Sequence, residues 1–283
     1  MSKMANHTVR EARNWAFSFL KQHHREQRVG DLLLRHLLEV NHSQFLAMQR
    51  DLIAPELFEL FVTWVEEHAE AGKPVEHFTC EVEFFDRQFY VDDQVLIPRP
   101  ETEELIMSVL NEIDQPYTVV DLGTGSGVIA ITLKIEWPKA RIFATDLSEE
   151  ALSVARYNSE KLEADVEFMQ GDFLTPITAQ KIIPDVIVSN PPYIPYSERE
   201  HLSETVKLHD PKQALFAEQN GLAAYETIIK QVMQLAKKPR LTAFEIGYDQ
   251  GEAVPSLIKQ YDSSAQVKVI QDINRKDRIV LWK

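Results

Sequence analysis

Cysteine is nearly absent: Cys80 stands alone among 283 residues, which excludes an intramolecular disulfide and any zinc site built from several thiolates. One thiol suits a reducing compartment, so a cytoplasmic location is expected. Long apolar runs are missing too. The opening stretch MSKMANHTVREARNW has no signal-peptide core, and nothing approaches the roughly 18 apolar residues of a membrane span, so no membrane association is expected. Positive charge is in deficit, with 30 Lys and Arg against 44 Asp and Glu and a net charge of −14. A phosphate backbone would meet net repulsion, and direct nucleic-acid binding is not expected. Glycine is sparse at nine residues, so a cluster of three at alternate positions, 123, 125 and 127, stands out.

What is present is a core-forming composition, 44% hydrophobic, in a chain long enough for one large domain and a smaller one. The first 70 or so residues read as helices. Thr8-Val-Arg-Glu11 is a capping box ahead of Ala12, Trp15, Ala16 and Phe19; a second segment runs through Leu32 to Val40. Leu57, Leu60, Phe61, Trp64, Val65 and His68 form a third apolar stripe, ended by Gly72 and Pro74. Alternation at Val82, Phe84, Phe89 and Val91 around a turn at Asp86-Arg87 predicts a hairpin. From Thr118 the pattern is strand, helix, strand, helix: TVVDLG, RIFATD, VEFMQGD, PDVIVSN, LTAFEIG, VKVIQD and RIVLWK. Such alternation implies an α/β fold with a seven-stranded, mostly parallel sheet covered on both faces. The last two strands are too close for a helix between them, so a hairpin adding an antiparallel edge strand is expected. The division is an N-terminal helical domain over 1–74 for substrate recognition, a linker with the hairpin over 75–97, and a catalytic domain over 98–283.

The chemistry-bearing residues fall at strand ends. Asp121-Leu122-Gly123-Thr124-Gly125-Ser-Gly127 follows the first sheet strand and precedes a helix. Its spacing differs from the G-x-G-x-x-G of dinucleotide binders, favouring a cofactor without phosphates. Asp146, at the next strand end, suits a ribose diol, while Asp172 and Phe173 at the third suit an adenine's exocyclic amine and ring. Together they favour S-adenosyl-L-methionine. The fourth strand runs into Asn190-Pro191-Pro192-Tyr193. An amide nitrogen is a weak nucleophile, because its lone pair is delocalised, and needs acceptors for its two hydrogens. The Asn190 side-chain carbonyl and the Pro191 backbone carbonyl supply them, the prolines hold the loop rigid, and Tyr193 is free to stack on a planar target. Direct transfer needs no metal. The structural alternative is that Asn-Pro-Pro is only a turn.

These motifs resemble the class I, Rossmann-like methyltransferases of planar nitrogens. The stretch Val95-Leu-Ile-Pro98-Arg99-Pro100-Glu101-Thr102-Glu103 resembles specifically the release factor glutamine methyltransferases, the HemK/PrmC family. The resemblance extends over nearly the whole chain, through His209-Asp210-Pro211, Asn220-Gly221-Leu222 and Glu245-Ile-Gly247. It implies an enzyme of translation termination that transfers methyl from S-adenosyl-L-methionine to the side-chain amide nitrogen of the glutamine in the Gly-Gly-Gln motif of peptide chain release factors. It implies cofactor contacts from Asp121, Gly123, Thr124, Gly125, Asp146, Phe173 and Asn190, and glutamine contacts from Asn190, Pro191, Pro192 and Tyr193. Three departures stand out: Asp210-Pro211 where the family has Glu-Pro, Arg275 where it has glycine, and Cys80 and Asp86 where glycines often flank the hairpin. Two rival functions share the motifs, an N6-adenine nucleic-acid methyltransferase and a non-catalytic cofactor-binding module. The negative charge and the stretch from Val95 to Glu103 oppose the first, and the intact Asn190–Tyr193 loop opposes the second.

Overall fold

A computed structural model describes residues 7–202 and 204–283, which divide into two compact units. The first contains the described residues up to Cys80 and a returning segment that ends at His209. Its helices are α1 (Val9–Gln22), α2 (Arg28–Leu37), α3 (His42–Ala47), α4 (Pro55–Ala71) and α5 (Glu76–Thr79). Thr8 caps α1 in the expected capping box, and Gly72 ends α4 in the left-handed conformation that a side chain would resist. Leu20, Leu33, Phe45, Phe61 and Val65 are fully or almost fully buried in this unit's own core. The returning segment carries α10 (Glu204–His209), and the His209 ring lies 2.9 Å from the Ala71 carbonyl at the end of α4.

The second unit holds the hairpin β1 (Glu81–Phe84) and β2 (Arg87–Tyr90), then α6 (Pro100–Glu112), β3 (Thr118–Leu122), α7 (Val128–Glu136), β4 (Arg141–Asp146), α8 (Glu149–Lys161), β5 (Val166–Gln170), α9 (Thr175–Ala179) and β6 (Val186–Ser189). Beyond β6 come a short pair, β7 (Ile194–Pro195) with β8 (Phe216–Ala217), and the short helices α11 (Lys212–Leu215) and α12 (Glu218–Gly221). The unit closes with α13 (Ala223–Met233), β9 (Leu241–Glu245), α14 (Ala253–Tyr261), β10 (Val267–Gln271) and β11 (Asp277–Trp282). The hairpin packs with this unit, Phe84 and Phe89 entering its core. Its turn residues are Phe85 and Asp86, one position earlier than the sequence pattern predicts, both with positive φ.

The seven-stranded sheet has the order β10-β11-β9-β6-β3-β4-β5. Consecutive residues point to opposite faces: Val119, Val186 and Val188 join α6 and α7 on one side, while Val120 and Ile187 join α13 and α14 on the other. The antiparallel strand is not at the edge. β11 runs between β9 and β10, antiparallel to both, and β10 takes the edge. The residues explain the exchange: Ile279, Val280, Leu281 and Trp282 form a continuous buried run fit for an interior strand, whereas β10 alternates with exposed Lys268. No helix among the described residues is long and apolar enough to cross a membrane.

Cys80, Asp86 and Arg275, where the resemblance leads one to expect glycine, take φ values of 55°, 58° and 61°. A side chain in that region costs about 1–2 kcal/mol, partly offset because glycine loses more entropy on folding. Arg275 is exposed, in the turn from β10 to β11. Arg275→Gly is therefore expected to stabilise the protein by about 0.5–1 kcal/mol, raising its thermal midpoint by about 1–4 °C. A midpoint unchanged or lowered in calorimetry would show that this turn carries no relievable strain.

Candidate active site

The loop after β3 is shaped by Gly123, Gly125 and Gly127, with φ of 71°, 54° and 85°. A Cβ at 123 or 125 would meet nothing within 4 Å, so backbone conformation and room for a ligand are what glycine supplies there. At 127 a Cβ would come within 2.9 Å of Ile131 and 3.1 Å of Ala155, so that glycine lets α7 and α8 close up. Beneath the loop, Asp121 is fully buried, its Oδ2 accepting from the Thr124 hydroxyl at 2.6 Å and the Ala130 amide at 3.2 Å. Its Oδ1 is buried without a partner. Burial pushes the carboxyl up to about 7 against those two hydrogen bonds, and the neighbouring charge of Asp146 adds to the rise. Asp146 itself braces the loop, accepting from the Gly125 amide at 2.9 Å and the Ser148 amide at 3.0 Å. Buried Asn158 of α8 donates to the carbonyls of Ser126 and Tyr90, tying the loop to the hairpin.

Above the loop opens a cavity of about 470 Å³. Of the residues singled out in the sequence, Gly123, Thr124, Gly125, Asp146, Phe173, Asn190 and Pro192 line it. Asp121, Leu122 and Gly127 lie outside its walls, supporting the loop or packed in the core. Asp172 is also outside: Gly171 and Phe173 form that stretch of wall, while the Asp172 backbone carbonyl accepts from Thr175. Pro191 is buried behind the wall. Tyr193, half-buried, packs against the core on the α13 side of the sheet, and burial, helped by the Glu245 charge, pushes its phenol up to about 12. Arg99, a wall residue, donates to buried Asp210 at 2.9 Å. The shorter acid at 210 thus still reaches the arginine.

Three residues that sequence reading left without a role hold the Asn190 loop. Register places Ser189 of β6 beside Phe244 of β9, so Asn190 and Glu245 emerge together from adjacent parallel strands. The Asn190 NH2 donates to Thr102 Oγ1 at 3.2 Å, and the Thr102 hydroxyl donates to Glu245 Oε2 at 2.7 Å. Thr102 and Glu245 are buried, and burial pushes the Glu245 carboxyl up to about 7. At the loop's far end, Gln250 donates to the Tyr193 carbonyl at 3.1 Å. Gly221, with φ of 82°, lies so close that a Cβ there would fall 2.1 Å from that same oxygen. No cluster able to hold a metal ion occurs among the described residues.

A doubly covered seven-stranded sheet with a glycine loop at its carboxyl edge is the fold of the class I methyltransferases. The family model of the methyltransferase small domain matches residues 101–218, and that of the PrmC N-terminal domain matches 11–79. A Bacillus cereus protein named release factor glutamine methyltransferase is 42% identical over 279 residues, spanning 96% of this chain and 98% of its own. This chain belongs to the release factor glutamine methyltransferase family. Among solved structures, the hMettl16 catalytic domain in complex with an RNA hairpin superposes with a TM-score of 0.56 at 15% identity, covering 94% of this chain and 90% of that one. The N-terminal domain of human METTL16 in complex with SAH gives 0.51 at 14% identity, covering 94% and 93%. Both share the fold.

Proposed function

We infer that this chain methylates the side-chain amide nitrogen of the glutamine in the Gly-Gly-Gln motif of peptide chain release factors, in the cytoplasm, with S-adenosyl-L-methionine as methyl donor. The observation that carries the reading is Asn190, an amide whose NH2 is tied back to Thr102, and through its hydroxyl to Glu245, while the residue lines the cavity beside the glycine loop. The cavity suits the cofactor: its volume is that of a small-molecule site, Gly123 and Gly125 leave open space above their backbone, and an acceptor, Asp146, is in its wall. The unpartnered Asp121 Oδ1 beneath the loop favours a cationic ligand above it. When bound, S-adenosyl-L-methionine supplies a sulfonium-activated methyl group for in-line displacement. Asn190 accepts one hydrogen of the target amide and the Pro191 carbonyl the other, turning the nitrogen lone pair toward the methyl. Pro192 walls the approach. Tyr193, half-buried against the core, anchors the loop. Proximity and orientation carry most of the acceleration, a contribution of about 7–11 kcal/mol where reacting atoms are well aligned. The proton leaves to water after transfer, so no base is required.

The test is methyl transfer to purified release factors, read by mass spectrometry of the glutamine-bearing peptide, with DNA as competitor. Modification of adenine in place of glutamine would overturn the reading in favour of a nucleic-acid methyltransferase.

The helical unit is assigned to choosing the protein partner through its exposed faces, since Phe61 and Val65 are spent on its own core. Deleting the residues before about Lys73 is expected to spare cofactor binding and to reduce methylation of intact release factor at least about tenfold, an interface loss of about 1.4 kcal/mol or more. Because His209 of α10 docks on Ala71 within this unit, the deletion should be paired with His209→Ala in the full chain to separate lost recognition from a loosened α10. Full activity of the truncated protein on the intact factor would remove the unit from recognition.

A further inference from the structure

The hydrogen bonds that reach Asn190 have a direction, and that direction is fixed from outside the reacting loop. Amide oxygen and nitrogen have nearly the same shape, so packing alone does not choose between the two orientations of an asparagine. Here the choice follows from chemistry. An ionised Glu245 only accepts. The Thr102 hydroxyl, 2.7 Å away, must therefore donate its one hydrogen to the carboxylate, leaving Oγ1 to accept from Asn190 at 3.2 Å. Donation to that oxygen turns the Asn190 NH2 inward. The carbonyl is left for the cavity.

We propose that Thr102 and Glu245 are positioning residues that set the polarity of the Asn190 amide, turning its carbonyl toward the nitrogen to be methylated. The inference rests on the role given to Asn190 above. A protonated Glu245 gains a donor. The Thr102 hydroxyl can then accept from the acid and donate to Asn190, which satisfies the reversed amide. The reversed amide presents NH2 to the substrate NH2, donor against donor, and the target nitrogen loses one of its two acceptors. Glu245, held up to about 7 by burial, thus makes methyl transfer rise as pH increases through that value. The groups facing Glu245 are Arg278 from β11, which favours ionisation, and Glu101 from α6, which opposes it. Tyr193 and Tyr225 of α13 also face it, with both phenols pushed up by burial and neutral in this range. Asp121 is the other buried carboxyl near 7, so the discriminating quantity is the difference between wild-type and Glu245 variant profiles.

Single-turnover methylation of a release factor, measured from about pH 6 to 8.5 with cofactor affinity followed by calorimetry, tests the proposal on the full chain. Thr102→Val is expected to slow transfer by about tenfold, what one hydrogen bond is worth, with cofactor affinity within about twofold of wild type. Thr102→Ser, which keeps the hydroxyl, is expected to restore most of the rate. Glu245→Gln is expected to slow transfer and flatten the rise between pH 6 and 8. The proposal is overturned by wild-type transfer in Thr102→Val, by Thr102→Ser no faster than Thr102→Val, or by an unchanged pH rise in folded Glu245→Gln. If Glu245→Gln does not fold, the two Thr102 variants decide alone. An Asn190→Ala control separates the layers: if it is slow while Thr102→Val is not, only the polarity inference fails, and if it too is fast, the mechanism itself fails.

Discussion

Asn190→Ala is expected to slow single-turnover methyl transfer at least about 100-fold, equivalent to about 2.7 kcal/mol of transition-state stabilisation. The loop should survive the change. Pro191 and Pro192 remain, and the Tyr193 carbonyl stays on Gln250. Losing the NH2 leaves the Thr102 hydroxyl short of a donor, at a stability cost of about 1–3 kcal/mol that thermal unfolding should register. Cofactor affinity should change little. Asn190→Asp is the harsher test, because it sets a second carboxylate against buried Glu245. Two like charges there cannot both ionise readily, so one carboxyl stays protonated near neutral pH and the amide-ordering bonds are lost. A folded Asn190→Ala protein that binds both ligands and transfers at the wild-type rate would reduce Asn-Pro-Pro-Tyr to a turn.

The seven strands and the helical first unit were legible because each carries a local signal, period two or period 3.6, that the packed structure preserves. The inner position of β11 was available in the unbroken apolar run from Ile279 to Trp282, but the short connection to β10 drew attention to the hairpin and not to which of its strands is buried twice. The glycine loop was equally local. What the sequence hid was contact at long range. Thr102 and Glu245 lie 143 positions apart and meet only because α6 packs against β9. A threonine in a helix start and a glutamate at a strand end each look ordinary alone. The core contact of Tyr193 is hidden for a related reason: nothing in Asn-Pro-Pro-Tyr itself names the residues it packs on. The segment with α10 that returns to the first unit was hidden likewise, since nothing in Glu204–His209 names the Ala71 carbonyl as its partner.

Asp146→Ala is expected to weaken S-adenosyl-L-methionine binding at least about 100-fold. A ribose diol offers two hydroxyls to this carboxylate, and each charge-assisted bond is worth about 1.5–3 kcal/mol. Both oxygens already accept a backbone amide, Gly125 at 2.9 Å and Ser148 at 3.0 Å, and each keeps a further lone pair for the ligand. The alanine variant therefore loses the ligand's acceptor and the brace that holds the glycine loop, and the two losses need separating. Asp146→Asn does so. Its single oxygen can keep the Gly125 amide while its NH2 faces Ser148 as donor against donor, so the loop stays largely braced and the diol loses the charged acceptor. Calorimetry should place its affinity between wild type and alanine. An asparagine variant as weak as alanine would assign most of the energy to the diol, and one near wild type would assign it to the brace. Unchanged affinity in a folded Asp146→Ala protein would mean that the ribose is held elsewhere, and the carboxylate at the end of β4 would then serve the loop alone.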